Sequence, residues 1–397
     1  MSRCCQSISY VRSDIAAACA TDFAGLLRLA RTLIAPILMA VSCHESSAQA
    51  ADAPRAPMES AASTEQAREI DAMLSRYLKP DRPGAAIIVT RDGLPVFRKA
   101  YGVSNQERNV ALEPEMALRA GSLTKQFTAA AIMLLVEQGK LALSDELGKY
   151  LANFPTSPTP VTIEHLLTHT SGIRNYTAFP DFRARMTMPV GVSEAITLFK
   201  DSKLEFKAGD RFAYSNSNYF LLGAIIEHVS GMPYPVFMEK AVFRPLQLDH
   251  TIIETDASAR APTLGYTRLL RRTAPAAPYS MSWPYAAGAL RTTVDDLARW
   301  SEATANGKLL TPASWQRMSS SYRLAGGAAT GYGYGWFVRT VGGRSVIEHS
   351  GEIGGFSAAL MQFPKERLCI AILANSDALD PAPDALAEKI AALVLRR

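Results

Sequence analysis

Strand-forming runs cluster toward the two ends of this 397-residue chain, and the long stretch between them is patterned mostly as helix. Residues 85–90 and 96–102 read as two strands around the turn Arg91-Asp92-Gly93. Residues 334–340, 344–348, 357–363 and 368–375 read as four more, with Lys365-Glu366-Arg367 turning between the last two. Between the two groups, residues 123–138 carry Phe127, Ala130, Ala131, Leu134 and Leu135 at helical spacing, with Gly139 as a stop. Shorter helical patterns cover 163–167, 218–229 (stopped by Gly231), 233–242 and 295–305, the last introduced by the possible caps Thr292 and Thr293. A helix over 64–78, with Ile70, Met73, Leu74 and Tyr77 on one face, precedes the first strand and ends at Pro80 and Pro83. Another, over 385–395, closes the chain, with Asp384 after Pro383 as its expected cap. Strands this far apart can share one sheet only if the middle is looped out as an insert. The pattern therefore predicts an α+β fold: one antiparallel sheet flanked by the terminal helices, with a mostly helical region inserted over roughly 121–285.

The chain is 48% hydrophobic and 20% charged, enough apolar material for a sizeable core and too little charge for global disorder. Its net charge of +5 is modest, and Lys and Arg form no runs, so no nucleic-acid partner is expected. Of five cysteines, Cys4, Cys5, Cys19 and Cys43 precede the expected globular region; Cys369 sits in the apolar run 368–373 and reads as a core residue. No disulfide framework is expected. Arg28 and Arg31 precede an apolar stretch over 32–41, and Ala48-Gln49-Ala50 offers a small-x-small cleavage site. Residues 1–50 thus read as a signal peptide or N-terminal extension, 51–63 as an Ala/Pro/Ser-rich linker, and 64–397 as the folded domain. The expected location is periplasmic or extracellular. Asp14 and Asp22 suit a signal poorly, which leaves room for a downstream start codon. Two alternatives stand beside export: lipidation at Cys43 after Ala40-Val41-Ser42, and a disordered cytoplasmic tail. The apolar stretch is shorter than the ~20 residues a bilayer requires, so no stable membrane span is expected.

Three motifs carry the chemistry. In Gly121-Ser122-Leu123-Thr124-Lys125, Ser and Lys stand three apart at a helix start, on neighbouring faces of one turn. A Ser hydroxyl needs a base, and Lys can be one only when burial or nearby positive charge keeps it neutral. A helix N-terminus favours the negative charge of a developing alkoxide. Alone, the pair reads first as a surface helix cap, since the pattern recurs often by chance. Tyr214-Ser215-Asn216-Ser217 places a phenol and an amide two apart in a loop before a helix. The phenol could shuttle a proton, and the amide could orient Lys125 or a substrate carbonyl; Tyr214 could also be a half-buried core aromatic and Ser217 a helix cap. Glu348-His349-Ser350-Gly351 ends a strand run. Gly351 would let a substrate backbone approach the strand closely, and His349 would supply a donor or positive charge beside the nucleophile. The alternative is a turn whose glycines are set by backbone geometry.

In this order and spacing, Ser122-x-x-Lys125, Tyr214-Ser215-Asn216 and His349-Ser350-Gly351 resemble the serine penicillin-recognising hydrolases of the class C β-lactamase type. That group includes D-alanyl-D-alanine carboxypeptidases, D-aminopeptidases and β-lactamase-fold esterases. The stretches 125–128, 164–172, 286–290 and 293–300 look like the family too. The resemblance runs from about Thr64 to the C-terminus and implies the β-lactamase/penicillin-binding transpeptidase-like fold. It also implies roles: Ser122 as nucleophile, Lys125 and Tyr214 sharing general acid/base work, and Asn216 holding the substrate amide or Lys125. The N–H groups of Ser122 and of Glu352, just after Gly351, would form the oxyanion hole. His169 of the 164–172 stretch is read as structural. Most true β-lactamases carry Lys-Thr-Gly as third motif; His349 here departs from it and shifts the expected substrate from β-lactams toward esters and D-amino-acid peptides.

No Gly-x-Ser-x-Gly elbow, His-Glu-x-x-His helix, paired-Cys metal pattern or glycine-rich nucleotide loop occurs. Neither metal nor cofactor is expected. The expected activity is cleavage of an ester or D-amino-acid amide or peptide bond through an acyl-enzyme on Ser122, the partner being a small-molecule or peptide substrate. A true β-lactamase and a non-catalytic cell-wall or ligand-binding module of the same fold are the alternatives.

Overall fold

The computed structural model describes residues 65–151, 154, 160–258, 263–269 and 272–396. The expected export leader, the Cys43 lipidation site and the linker lie outside them.

The main sheet joins the two ends of the described chain. Its strands are β1 (Ala85–Arg91), β2 (Leu94–Tyr101), β6 (Phe337–Val341), β7 (Arg344–Ile353), β8 (Phe356–Phe363) and β9 (Leu368–Ala374). They lie in the order β6-β7-β8-β9-β1-β2, every pair antiparallel. Chain-distant strands meet at the centre, where Ile87 pairs with Ile372 and Val89 with Ile370.

Successive strand residues point to opposite faces, and here both faces are covered. Ile87, Val89, Met361, Phe363, Ile370 and Ile372 pack against Ile70 and Leu74 of helix α1 (Glu65–Leu74) and Leu386, Ile390 and Val394 of the C-terminal helix (Pro383–Val394). Ile88, Ala358, Leu360, Ala371 and Leu373 join the larger core shared with the inserted region. Two-sided burial explains why β9 reads as an unbroken apolar run and why β8 is buried along its whole length, and Cys369 is buried among them. The C-terminal helix starts at Pro383 with Ala382 preceding it; Asp384 is not its cap but stands in the first turn, accepting from the Ala385 N–H. Proline's fixed φ starts the helix without a side-chain cap.

The insert is organised around α2 (Thr124–Glu137), which is buried on all sides from Thr124 to Met133. Phe127 stacks on Trp300 at 4.1 Å between centroids, fastening α2 to a later helix, Val294–Ala305, whose Thr293 cap accepts from the Asp296 N–H. A small sheet that the sequence pattern does not predict leads into α2. Its strands are β3 (Leu118–Gly121), β4 (Ile252–Ile253) and β5 (Leu290–Thr292), in the order β3-β5-β4. Such short strands carry no readable period.

Two differences from the sequence pattern position the site. Strand β7 continues to Ile353 instead of stopping at Glu348, because β8 pairs with it through Glu352↔Ser357 and Ile353↔Phe356. Its pairing with β6 does end at Glu348. The segment 349–353 is therefore left open on that side, and β3 packs there. The helix Asn216–Ser230 begins two residues before Asn218, which puts Asn216 in its first turn.

Candidate active site

Ser122 sits between the end of β3 and the start of α2, pressed against β7. A Cβ on Gly351 would fall 2.0 Å from the Ala120 carbonyl oxygen and 3.1 Å from the Ser122 nitrogen. Gly121 has φ +52, and a Cβ there would lie 2.8 Å from the Glu352 nitrogen. Two glycines thus let the backbone carrying Ser122 touch the backbone at Glu352, an approach side chains would forbid. The Ser122 N–H has no hydrogen-bond partner among the described residues. Thr124 locks the turn: its hydroxyl donates to the Gly121 carbonyl at 2.6 Å and accepts from the Leu290 N–H at 2.9 Å.

Lys125 is fully buried. Its Nζ lies 3.1 Å from Ser122 Oγ, 2.9 Å from Asn216 Oδ1 and 2.7 Å from the Ala287 carbonyl oxygen. Burial holds its pKa well below the ordinary lysine value, because removing an ammonium from water is costly. A neutral amine has two N–H bonds and one lone pair. Asn216 and Ala287 take the two N–H bonds, and the lone pair is left for the Ser122 hydroxyl.

Tyr214, partly exposed, turns its phenol toward Ser122, and its ring lies 4.9 Å from Lys125 Nζ. Its enclosure pushes the phenol pKa above the usual value, so the phenol stays protonated. Asn216 turns Oδ1 to Lys125 and Nδ2 to Thr177 Oγ1 at 3.3 Å, which joins both halves of its amide to the site. Ser217 is not a cap; it fixes the neighbouring loop by donating to the Arg174 carbonyl and accepting from the Tyr176 N–H. The cleft beside Ser122 encloses about 370 Å³ and is lined by Asn216, Thr177, Tyr279, Ala287 and Glu352. A larger cavity of about 910 Å³, lined by Leu147, Ile173, Phe199 and Phe206, contains none of the motif residues.

His349 departs from its expectation as a donor or positive charge facing the substrate. Strand alternation turns it inward with Gly351 while Ser350 faces out. Its Nδ1 lies 2.6 Å from the Ser350 carbonyl, to which it donates, and its Nε2 lies 3.2 Å from the Tyr332 hydroxyl. Burial, aided by Lys125, pushes its pKa down to about 3. It is a neutral ring with both nitrogens engaged. His169 also has a structural placement: Nδ1 accepts from the Ser215 N–H at 3.2 Å, and the ring packs on Tyr214 at 4.3 Å.

The site also contains groups that sequence reasoning missed. The Ala287 carbonyl is main chain, so no residue type could announce it. Thr177 and Tyr332 lie outside the three motifs, and no spacing links them to Ser122.

Sheet, insert and this Ser-Lys-Tyr arrangement at a helix start define a class: hydrolases of the β-lactamase/penicillin-binding fold. The chain belongs to the Beta-lactamase family, whose model matches residues 67–395. Among its relatives is protein flp of Staphylococcus aureus (strain N315), 28% identical over 318 residues, which are 78% of this chain and 63% of that protein. The chain thus spans less than two thirds of that relative's length. The octameric penicillin-binding protein homologue from Pyrococcus abyssi superposes with a TM-score of 0.71 at 31% identity, covering 83% of this chain and 75% of that one. A D-stereospecific amidohydrolase from Streptomyces sp. shares the fold, with a TM-score of 0.67 at 24% identity over 81% of this chain and 97% of that one.

Proposed function

We propose that this protein is an acyl-transferring serine hydrolase that cleaves an ester or a D-amino-acid amide or peptide bond. The observation that carries the reading is the 3.1 Å approach of a fully buried Lys125, its pKa held well below the ordinary lysine value, to Ser122 Oγ, with two further acceptors, Asn216 Oδ1 and the Ala287 carbonyl, already engaging the amine. Lys125 accepts the hydroxyl proton as Ser122 attacks the acyl carbon. The Ser122 and Glu352 N–H groups receive the charge on the carbonyl oxygen. Tyr214, protonated and beside Ser122, passes a proton to the leaving group and is replenished from Lys125. Water then attacks the acyl-enzyme with the same groups in reverse order. A neutral His349 supplies no cation for a drug carboxylate, which favours esters and D-amino-acid amides over β-lactams. The shared fold of the Streptomyces D-stereospecific amidohydrolase is compatible with this choice.

The test has two parts. A fluorophosphonate probe should label the wild type and not Ser122→Ala; equal labelling of both would sink the acyl-enzyme. Turnover of a short-chain nitrophenyl ester, a peptide ending in D-alanyl-D-alanine and a chromogenic cephalosporin then ranks substrates, and useful turnover of the cephalosporin alone would reverse the preference.

A further inference from the structure

The charges along the cleft carry the reading one step further. Among the described residues, Glu352 and Arg183 are the two charged side chains that line the cleft. Glu352 stands at the reacting end, because its own backbone nitrogen meets Gly121 beside the nucleophile. Its carboxylate forms no ion pair among the described residues. Arg119 of the adjoining strand β3 is held by Glu254 at 2.8 Å, and Arg291 approaches the same carboxylate at 3.9 Å. A second carboxylate, Asp377, is fixed nearby by the Gly355 N–H at 2.9 Å and makes the surroundings of Glu352 still more negative.

An unneutralised carboxylate beside an oxyanion hole opposes the charge that the transition state develops. A substrate that brings a cation to this spot turns the repulsion into attraction. A substrate that brings a carboxylate doubles it. Resting on the acyl-enzyme reading above, we infer that Glu352 selects acyl substrates carrying a protonated amine close to the scissile carbonyl, the geometry of a D-amino-acid amide or ester with a free α-amino group. Arg183, in the short helix Phe182–Arg185, also lines this cleft and carries the opposite sign.

The experiment varies one charge on a constant scaffold. D-alanyl, N-acetyl-D-alanyl and N-succinyl-D-alanyl versions of one anilide and one phenyl ester place a positive, neutral or negative group at the same position. The expected order of kcat/KM is free amine, then acetyl, then succinyl, with steps on the order of tenfold, as for a charge-assisted hydrogen bond. Added salt should compress the spread. In Glu352→Gln the ratio of free-amine to succinyl rates should fall toward one. Equal rates on all three substrates in the wild type, or a preference for the succinyl compound, would overturn the inference without any variant having to fold. A succinyl preference abolished by Arg183→Gln would assign selection to Arg183 instead. Fluorophosphonate labelling of the same preparations separates the two levels. Labelled Ser122 with no charge preference removes the amine selection alone, whereas absent labelling removes the acyl-enzyme and the selection with it.

Discussion

Lys125 Nζ donates to the Ala287 carbonyl at 2.7 Å, and one turn later on the same helix Thr128 donates to the Ala286 carbonyl at the same distance. Two consecutive main-chain carbonyls therefore clamp α2 and aim the lysine at Ser122. The lysine's position is set by the backbone of a segment more than 150 residues away, as its neutrality is set by burial.

Removing the base should stop the chemistry without unfolding the protein. Lys125→Met is expected to lower kcat/KM for a nitrophenyl ester by about 10²- to 10⁴-fold, the usual worth of a positioned general base. Circular dichroism and a denaturant midpoint should show an intact fold. Activity within about threefold of wild type would exclude Lys125 as the base.

The same lysine fixes two pH dependences. In the folded protein its pKa is depressed, whereas in the unfolded chain it lies near ~10.4. Between those values the unfolded state binds more protons, so stability should rise with pH across that window, and Lys125→Met should flatten the rise. The rate should climb with pH as the lysine loses its proton; a flat kcat/KM profile from about pH 5 to 9 would count against a titrating base in that range.

Tyr214→Phe tests the phenol as proton carrier. A poor leaving group needs its proton more than a good one does. The substitution should therefore cost about 10²- to 10⁴-fold on an anilide and clearly less on a nitrophenyl ester, while fluorophosphonate labelling of Ser122 persists. An equal loss on both substrates would point to packing and not to proton transfer.

Gly351→Ala tests the backbone contact. Its methyl would meet the Ala120 carbonyl oxygen at 2.0 Å, so β7 and β3 must separate. Overpacking of this kind costs about 1–3 kcal/mol. The midpoint of denaturation should drop and the oxyanion geometry should be lost, which lowers kcat more than KM. A variant with wild-type kcat would mean that the close approach does not shape the site.

Acid should destabilise the fold through His349. Its folded pKa is pushed down to about 3, below the unfolded value near ~6.5. The stability it contributes is present above ~6.5 and is lost as pH falls toward the folded value, since the unfolded chain takes up the proton first. His349→Gln should lose less stability than the wild type between those limits, measured by denaturant titration at each pH. Identical slopes would show that the ring is not held neutral.

Much of this protein was legible in its residue order. The run 368–373 and the run 85–89 are apolar on both alternate positions, which is what two covered faces demand, and they became adjacent central strands. Ser122 and Lys125 meet because a helix brings residues three apart onto one side, so their contact needed nothing beyond local geometry. The extent of β7 was not legible. His349-Ser350-Gly351 lacks strand character, and the strand persists there only because β8 pairs with it.

The sequence by itself determined the elements, their order and the identity of the nucleophile and its base, because these follow from periodicity and from spacing within a single turn. The tertiary structure alone decided what those groups are. Burial drives the Lys125 pKa well below that of a free lysine, the Ala287 carbonyl and Asn216 orient its amine toward Ser122, and inward packing turns His349 into a neutral ring bonded within the protein. Charge state depends on the solvent and dipoles around a group, and those are supplied by chain segments too distant in sequence for any local pattern to record.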